Sequence, residues 1–111
     1  MNYKSMSDFE INKLAAGLVS LIINEEQMCE AKKIKSSVMV NDIVNSFEFN
    51  PCENPSDAWP IMNDASIIID RDSCQAHVSS YFNPSFVIYC KNDEKEILRA
   101  SMIAALSVAI G

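Results

Sequence analysis

SFEFNPCENPSDAWPIMNDASIIID, residues 46–70, holds the reading that decides the fold class. It opens on Ser46-Phe47-Glu48-Phe49, where two aromatics alternate with polar residues and would share one side of a strand. Asn50 to Pro55 is dense in Asn and Pro, the chemistry of a turn. Ser56 or Asp57 then serves as a helix cap, and a short helix runs to about Asn63. Pro60 is tolerated there within a first turn, where its missing N–H would have no intrahelical partner anyway. Ser66 to Asp70 reads as a further strand. Strand, turn, helix and strand thus follow one another within a single short stretch.

Working outward, Ser7-Asp8-Phe9-Glu10 is a capping box, with Met6 and Ile11 placed for the accompanying hydrophobic staple. Ile11, Leu14, Ala15, Leu18, Leu21 and Ile22 recur at helical spacing, which predicts a helix from Asp8 to Ile22. Asp8 and Glu10 suit the positive end of its dipole. Asn24 to Ser37 is polar and weakly structured, and Val38 to Val40 is a short strand. Gln75 to Tyr81 alternates loosely, and Phe86 to Cys90 is an apolar run expected of a strand covered on both faces or central in its sheet. Asn92 or Asp93 caps a last helix whose inward stripe is Ile97, Leu98, Met102, Ala105, Leu106 and Ala109. From Met102 onward that helix is apolar on nearly every side, so it is either a core helix or covered by a second subunit, and a homodimer through it is expected on the second reading. The element order predicts one α+β domain over residues 1–111. Its expected form is an antiparallel β-sheet with N-terminal and C-terminal helices packed on one face, and a short helix near residues 57–63.

The chain has 111 residues, enough to bury roughly two thirds of its unfolded surface without disulfides or metal. Fifteen acidic against nine basic side chains give a net charge of −6, which repels phosphate and suits solubility or a basic protein partner. Lys32, Lys33 and Lys35 form the one basic cluster, so nucleic acid is not expected as a partner. The amino terminus lacks the apolar run of a signal peptide, and the longest apolar stretch is far short of the ~20 residues needed to span a bilayer. A cytoplasmic protein without membrane contact is expected. Cys29, Cys52, Cys74 and Cys90 are unevenly spaced and read as free thiols. With Gly17 and Gly111 the only glycines, no phosphate cradle can form, and no cofactor is expected.

Catalytic constellations are sparse. Cys74 and His77 make a C-x-x-H pair with no second pair to complete a zinc site. His77 is the only histidine and has no sequence-visible partner, while Asp64, Asp70 and Asp72 read as solvated turn carboxylates. The candidate binding residues are Trp59, Pro60 and Asp57. Trp59 has two readings: an anchor with its indole buried against the sheet, which is the expected one, or an exposed ring that with Pro60 rims a binding groove.

The segment Phe49 to Met62, the isoleucine-rich strand after it, and the terminal Arg99-Ala100-Ser101-Met102-Ile103-Ala104-Ala105-Leu106 resemble the NinX-like group of small proteins carried by lambdoid phages and enterobacterial prophages. Members of that group join a Pro-Ser-x-x-Trp…Pro-Ile segment to a terminal helix; here the order of alanine and methionine in that helix differs. The resemblance implies a setting, the bacterial cytoplasm during infection or lysogeny, and brings no reaction with it. The expected function is that of a non-enzymatic phage or prophage accessory protein that binds a host or phage protein. The alternative is a small-ligand-binding or enzymatic domain that uses Cys74, His77 and nearby carboxylates.

Overall fold

The computed structural model describes residues 2–24, 37–42, 45–70, 72, 75–78, 88–89 and 94–110. Helix α1, Asp8–Leu18, begins as its capping box requires. Ser7 Oγ accepts from the Glu10 N–H and donates to a Glu10 carboxylate oxygen, each at 3.2 Å. The helix buries Ile11, Asn12, Ala15 and Ala16. It stops four residues before the Ile22 expected from periodicity. Ser20 turns into the left-handed region at φ 57°, the Leu21 N–H bonds the Ala16 carbonyl at 3.0 Å, and the Ser20 N–H bonds that of Gly17 at 3.4 Å. These are the paired bonds of a Schellman ending, made here on serine. Leu21 and Ile22 thereby leave the helix, and Ile22–Ile23 forms strand β1.

Strands β1, β2 (Val38–Asn41) and β3 (Ser46–Phe49) make one antiparallel sheet with β2 in the middle. Val38 pairs with Phe49, and Val40 pairs with Phe47 on one side and Ile23 on the other. Val38 and Val40 are fully buried, and α1 packs on β1 and β2. Helix α2, Pro55–Asp64, then carries the chain to a second antiparallel sheet of β4 (Ile67–Asp70), β5 (Gln75–Val78) and β6 (Ile88–Tyr89), with β5 in the middle. Ile67 and Ile69 pack on the core, while Ile68 between them is exposed. The α+β class and the antiparallel pairing agree with the sequence, but the strands among the described residues form two three-stranded sheets instead of one. Period-2 alternation fixes which face of a strand is buried and leaves its neighbour unspecified. The expected strand ends at 79–81, 86–87 and 90, and the cap at Asn92 or Asp93, lie outside the described residues.

Helix α3, Glu94–Ala109, lies against all three strands of the second sheet and against α1 and α2. From Ile97 to Ser107 every residue but Arg99 is buried. The chain's own elements thus cover the helix that is apolar all round. Two serines enter this core because each hydroxyl donates to the carbonyl one turn back, Ser101 to Ile97 and Ser107 to Ile103, both at 2.7 Å. A 3-10 turn at Tyr3–Ser5 precedes α1 and is held to α3 by Arg99. The guanidinium donates to the Met6 carbonyl at 2.6 Å and to that of Lys4 at 3.4 Å, and pairs with Asp8 at 2.5 Å.

Helix α2 also exits on a left-handed serine, Ser66 at φ 53°, whose N–H bonds the Asn63 carbonyl at 3.2 Å. A side chain in that region costs about 1 kcal/mol that glycine does not incur. Ser20→Gly and Ser66→Gly are each expected to raise stability by about 0.5–1 kcal/mol, and additively, in urea unfolding. A loss of stability in either variant would show that the serine hydroxyl matters more than the backbone strain.

Candidate functional site

The turn before α2 is built on buried polar groups. Asn12, on the apolar face of α1, is fully buried. Its carbonyl oxygen accepts the Cys52 N–H at 3.2 Å, and its amide donates to Asn50 Oδ1 at 2.8 Å. The Asn50 amide donates in turn to Ser37 Oγ at 3.3 Å, at the edge of β2. Because a backbone N–H can only donate, Cys52 fixes the orientation of Asn12, and that fixes Asn50. Sequence reasoning passed over this network. The available signal was a single asparagine among the inward positions of an amphipathic helix, facing an Asn-Pro turn far along the chain.

Cys52 is 1% exposed, and burial, with Asp8 nearby, pushes its thiol from 9.0 up to about 12. It is the described cysteine and it is free. A thiolate is the nucleophilic form, so Cys52 is built to be inert. Peptide-mapped alkylation near pH 8 should leave Cys52 unmodified in the folded protein and modify it in urea. An acid whose folded pKa lies above its unfolded value destabilises the fold once pH exceeds the unfolded value. Stability should therefore fall by about 1 kcal/mol per pH unit from this thiol as pH rises from 9.0 toward 12. Cys52→Ala should flatten that part of the profile, and an unchanged slope would refute the assignment.

From this turn, Asn54 caps α2 by accepting the Ser56 N–H at 3.0 Å. The helix therefore begins at Pro55, before the expected cap at Ser56 or Asp57. Pro60 in consequence sits past the first turn, contrary to expectation. Its missing N–H leaves the Ser56 carbonyl without its helical partner, which is tolerated because both residues are exposed to water. Asp57 stands in the first turn, where its Oδ2 accepts the Asn50 N–H at 2.9 Å and ties the turn to the helix.

The inward side of α2 is Ala58 and Ile61, both buried. Trp59, rotated about 100° from Ala58, is 63% exposed. The buried-anchor reading is thus corrected: small Ala58 and branched Ile61 seat the helix, and the indole stands outside. On one flank of α2, Val19, Leu21, Phe47, Phe49, Asp57 and Pro60 line a groove of about 200 Å³. On the other, Trp59, Met62, Asn63, Ser66 and Ile67 line a second of about 200 Å³. The three candidate binding residues are therefore distributed over both flanks of one short helix.

The alternative constellation is not brought together among the described residues. Cys74 lies outside them, as do Cys29, Cys90, Lys32, Lys33 and Lys35, and His77 pairs in register with Ile68. Asp70 ends β4 and accepts the Asp72 N–H at 3.1 Å, while Asp64 ends α2. Among the described residues no group of three or more His, Cys, Asp or Glu could hold a metal ion. Nor is any helix among them long and apolar enough to cross a membrane.

Two small antiparallel sheets, joined by a helix that displays the lone tryptophan, define a small α+β protein with an aromatic surface feature. The chain belongs to the phage NinX family: the family model described as Bacteriophage P22, NinX matches residues 2–108. No curated protein and no solved structure matches it. The match extends the resemblance read at Phe49 to Met62, the strand after it and the terminal helix to nearly the whole chain, and makes this a phage accessory protein.

Proposed function

We propose that the protein acts by binding a host or phage protein through the outer face of α2, with Trp59, Pro60 and Asp57 as contact residues, in the cytoplasm of the bacterial host. The observation that carries this reading is the exposure of Trp59, 63% on a helix whose ends are both fixed. Tryptophan is highly buried on average. It is also enriched among the residues that dominate protein interfaces, because a large rigid ring gives much contact area for little lost conformational freedom. Grooves on both flanks of α2 supply the relief into which a partner's side chains would pack.

The test compares the wild type with Trp59→Ala as bait in infected or lysogenic host cells, with bound proteins identified by mass spectrometry. The wild type is expected to retain a protein that the variant loses by at least about tenfold. The thermal midpoint of the variant should move by less than about 2 °C, because the indole is outside the core. Equal retention by both baits, or a large fall in thermal stability of the variant, would return Trp59 to a structural role.

A further inference from the structure

We propose that the groove between β3 and α2 receives an arginine or lysine side chain of the bound protein, so that the partner presents a basic surface to this face. The inference rests on the protein-binding reading above and specifies the partner's chemistry. Phe47 and Phe49 from β3, Val19 and Leu21 from the exit of α1, and Pro60 from α2 give the groove apolar walls. Asp57 is the acid on its lining. Its Oδ2 is held by the Asn50 N–H at 2.9 Å, and its Oδ1 has no hydrogen-bond partner among the described residues. A carboxylate fixed through one oxygen with the other open to accept, beside two phenyl rings, matches a long side chain with an apolar stem and a cationic head. The stem lies on the apolar walls, and the head meets both the carboxylate and the ring faces. An apolar side chain would cover Asp57 without pairing it, and an anionic one would be repelled.

The charge distribution points the same way. Residues 36–70, which supply β3, the turn and α2, hold Asp42, Glu48, Glu53, Asp57, Asp64 and Asp70 and no Lys, Arg or His. That one stretch carries a charge equal to the net −6 of the entire chain. The Lys and Arg side chains among the described residues stand elsewhere, on the amino-terminal turn, α1 and α3. Arg99 pairs with Asp8, Lys95 lies 4.0 Å from Glu53, and Lys13 lies over the Phe9 ring. None of these three cations is paired with Asp57. The positive end of the α2 dipole, worth about half a charge, is offset by Asp57 itself.

The probe is a short peptide alternating arginine and leucine, compared with the same peptide carrying uncharged citrulline for arginine. Binding is read by calorimetry and by the emission of Trp59 on the same helix. The arginine peptide is expected to bind at least about tenfold more tightly than the citrulline one, and to weaken as salt rises from about 0.05 to about 0.3 M. Asp57→Asn keeps an oxygen for the Asn50 backbone N–H and removes the charge. Phe47→Leu keeps an apolar wall and removes the ring. Each should weaken the arginine peptide by about fivefold or more, whereas Glu48→Gln, the same charge change on the opposite side of β3, should alter it by less than about twofold. Equal binding of the two peptides, equal loss with Glu48→Gln, or no binding of the arginine peptide at about 1 mM overturns the proposal. If Trp59→Ala abolishes capture of a cellular partner that Asp57→Asn and Phe47→Leu still retain, the protein-binding reading stands and this inference alone fails.

Discussion

Asn12→Leu is expected to lower the unfolding free energy by about 3 kcal/mol, a large share of the roughly 5–15 kcal/mol that holds a domain of this size. Leucine has nearly the shape of asparagine and is the better residue for an apolar helix face, so a view that weighs burial alone predicts no loss. The loss comes from the partners. The Cys52 N–H would have no acceptor, and Asn50 Oδ1 would lose the donor that meets it at 2.8 Å, both in the interior. Each abandoned buried group costs about 1–3 kcal/mol. The effect should also be local. The Glu53 and Asn54 amides, which bond the Asn50 carbonyl at 3.1 and 2.8 Å, should exchange with solvent faster than amides of α3. Urea unfolding measures the first effect and hydrogen exchange the second. A cost under about 1 kcal/mol would mean that water or another group takes over both bonds.

Arg99→Leu comes next in size, at about 2 kcal/mol. The guanidinium serves carbonyls of the amino-terminal turn and the Asp8 carboxylate together, and it is the main polar tie between that turn and α3. Arg99 and Asp8 side chains are 22% and 33% exposed, so their attraction is screened and the estimate rests mainly on the charge-assisted bond to the Met6 carbonyl. Arg99→Lys should restore less than about half of the loss, because an ammonium cannot present the flat fork that spans these acceptors. Limited proteolysis should then cut first within residues 2–7. Cleavage elsewhere before that segment would contradict the role given to Arg99.

Much of the architecture was legible locally. The Ser7 box fixed the start of α1, the short run at Val38 to Val40 and the alternation at Ser46 to Phe49 marked two of the three strands of the first sheet, and the apolar C-terminal run marked a helix covered either by the core or by a second subunit. These signals lie within a few residues of the structure they cause. The end of α1 was misread because serine, which carries no strong stop signal, takes at Ser20 the left-handed position that glycine usually fills. The start of α2 was misplaced for a related reason. Asn54, Ser56 and Asp57 are all good caps, and the choice of Asn54 follows once Asp57 is engaged by the Asn50 N–H. The candidate residues Asp57, Trp59 and Pro60 were named from the sequence, but their surroundings were not. Phe47, Phe49, Val19 and Leu21 reach the groove from two other elements.

The sequence by itself determined the α+β class, the aromatic face of β3, the acidic balance, and the family to which the short tryptophan-bearing segment belongs. Those follow from periodicity, composition and local capping, which act over one or two turns of chain. Only the tertiary structure decided that the strands divide into two sheets, that Asn12 and Asn50 meet across 38 positions, and that the Trp59 ring faces outward. Each of these depends on which of several equally apolar faces finds a partner elsewhere in the chain. On α2 the small Ala58 and branched Ile61 take the inward places, and the indole, one position on from Ala58, is left at the surface.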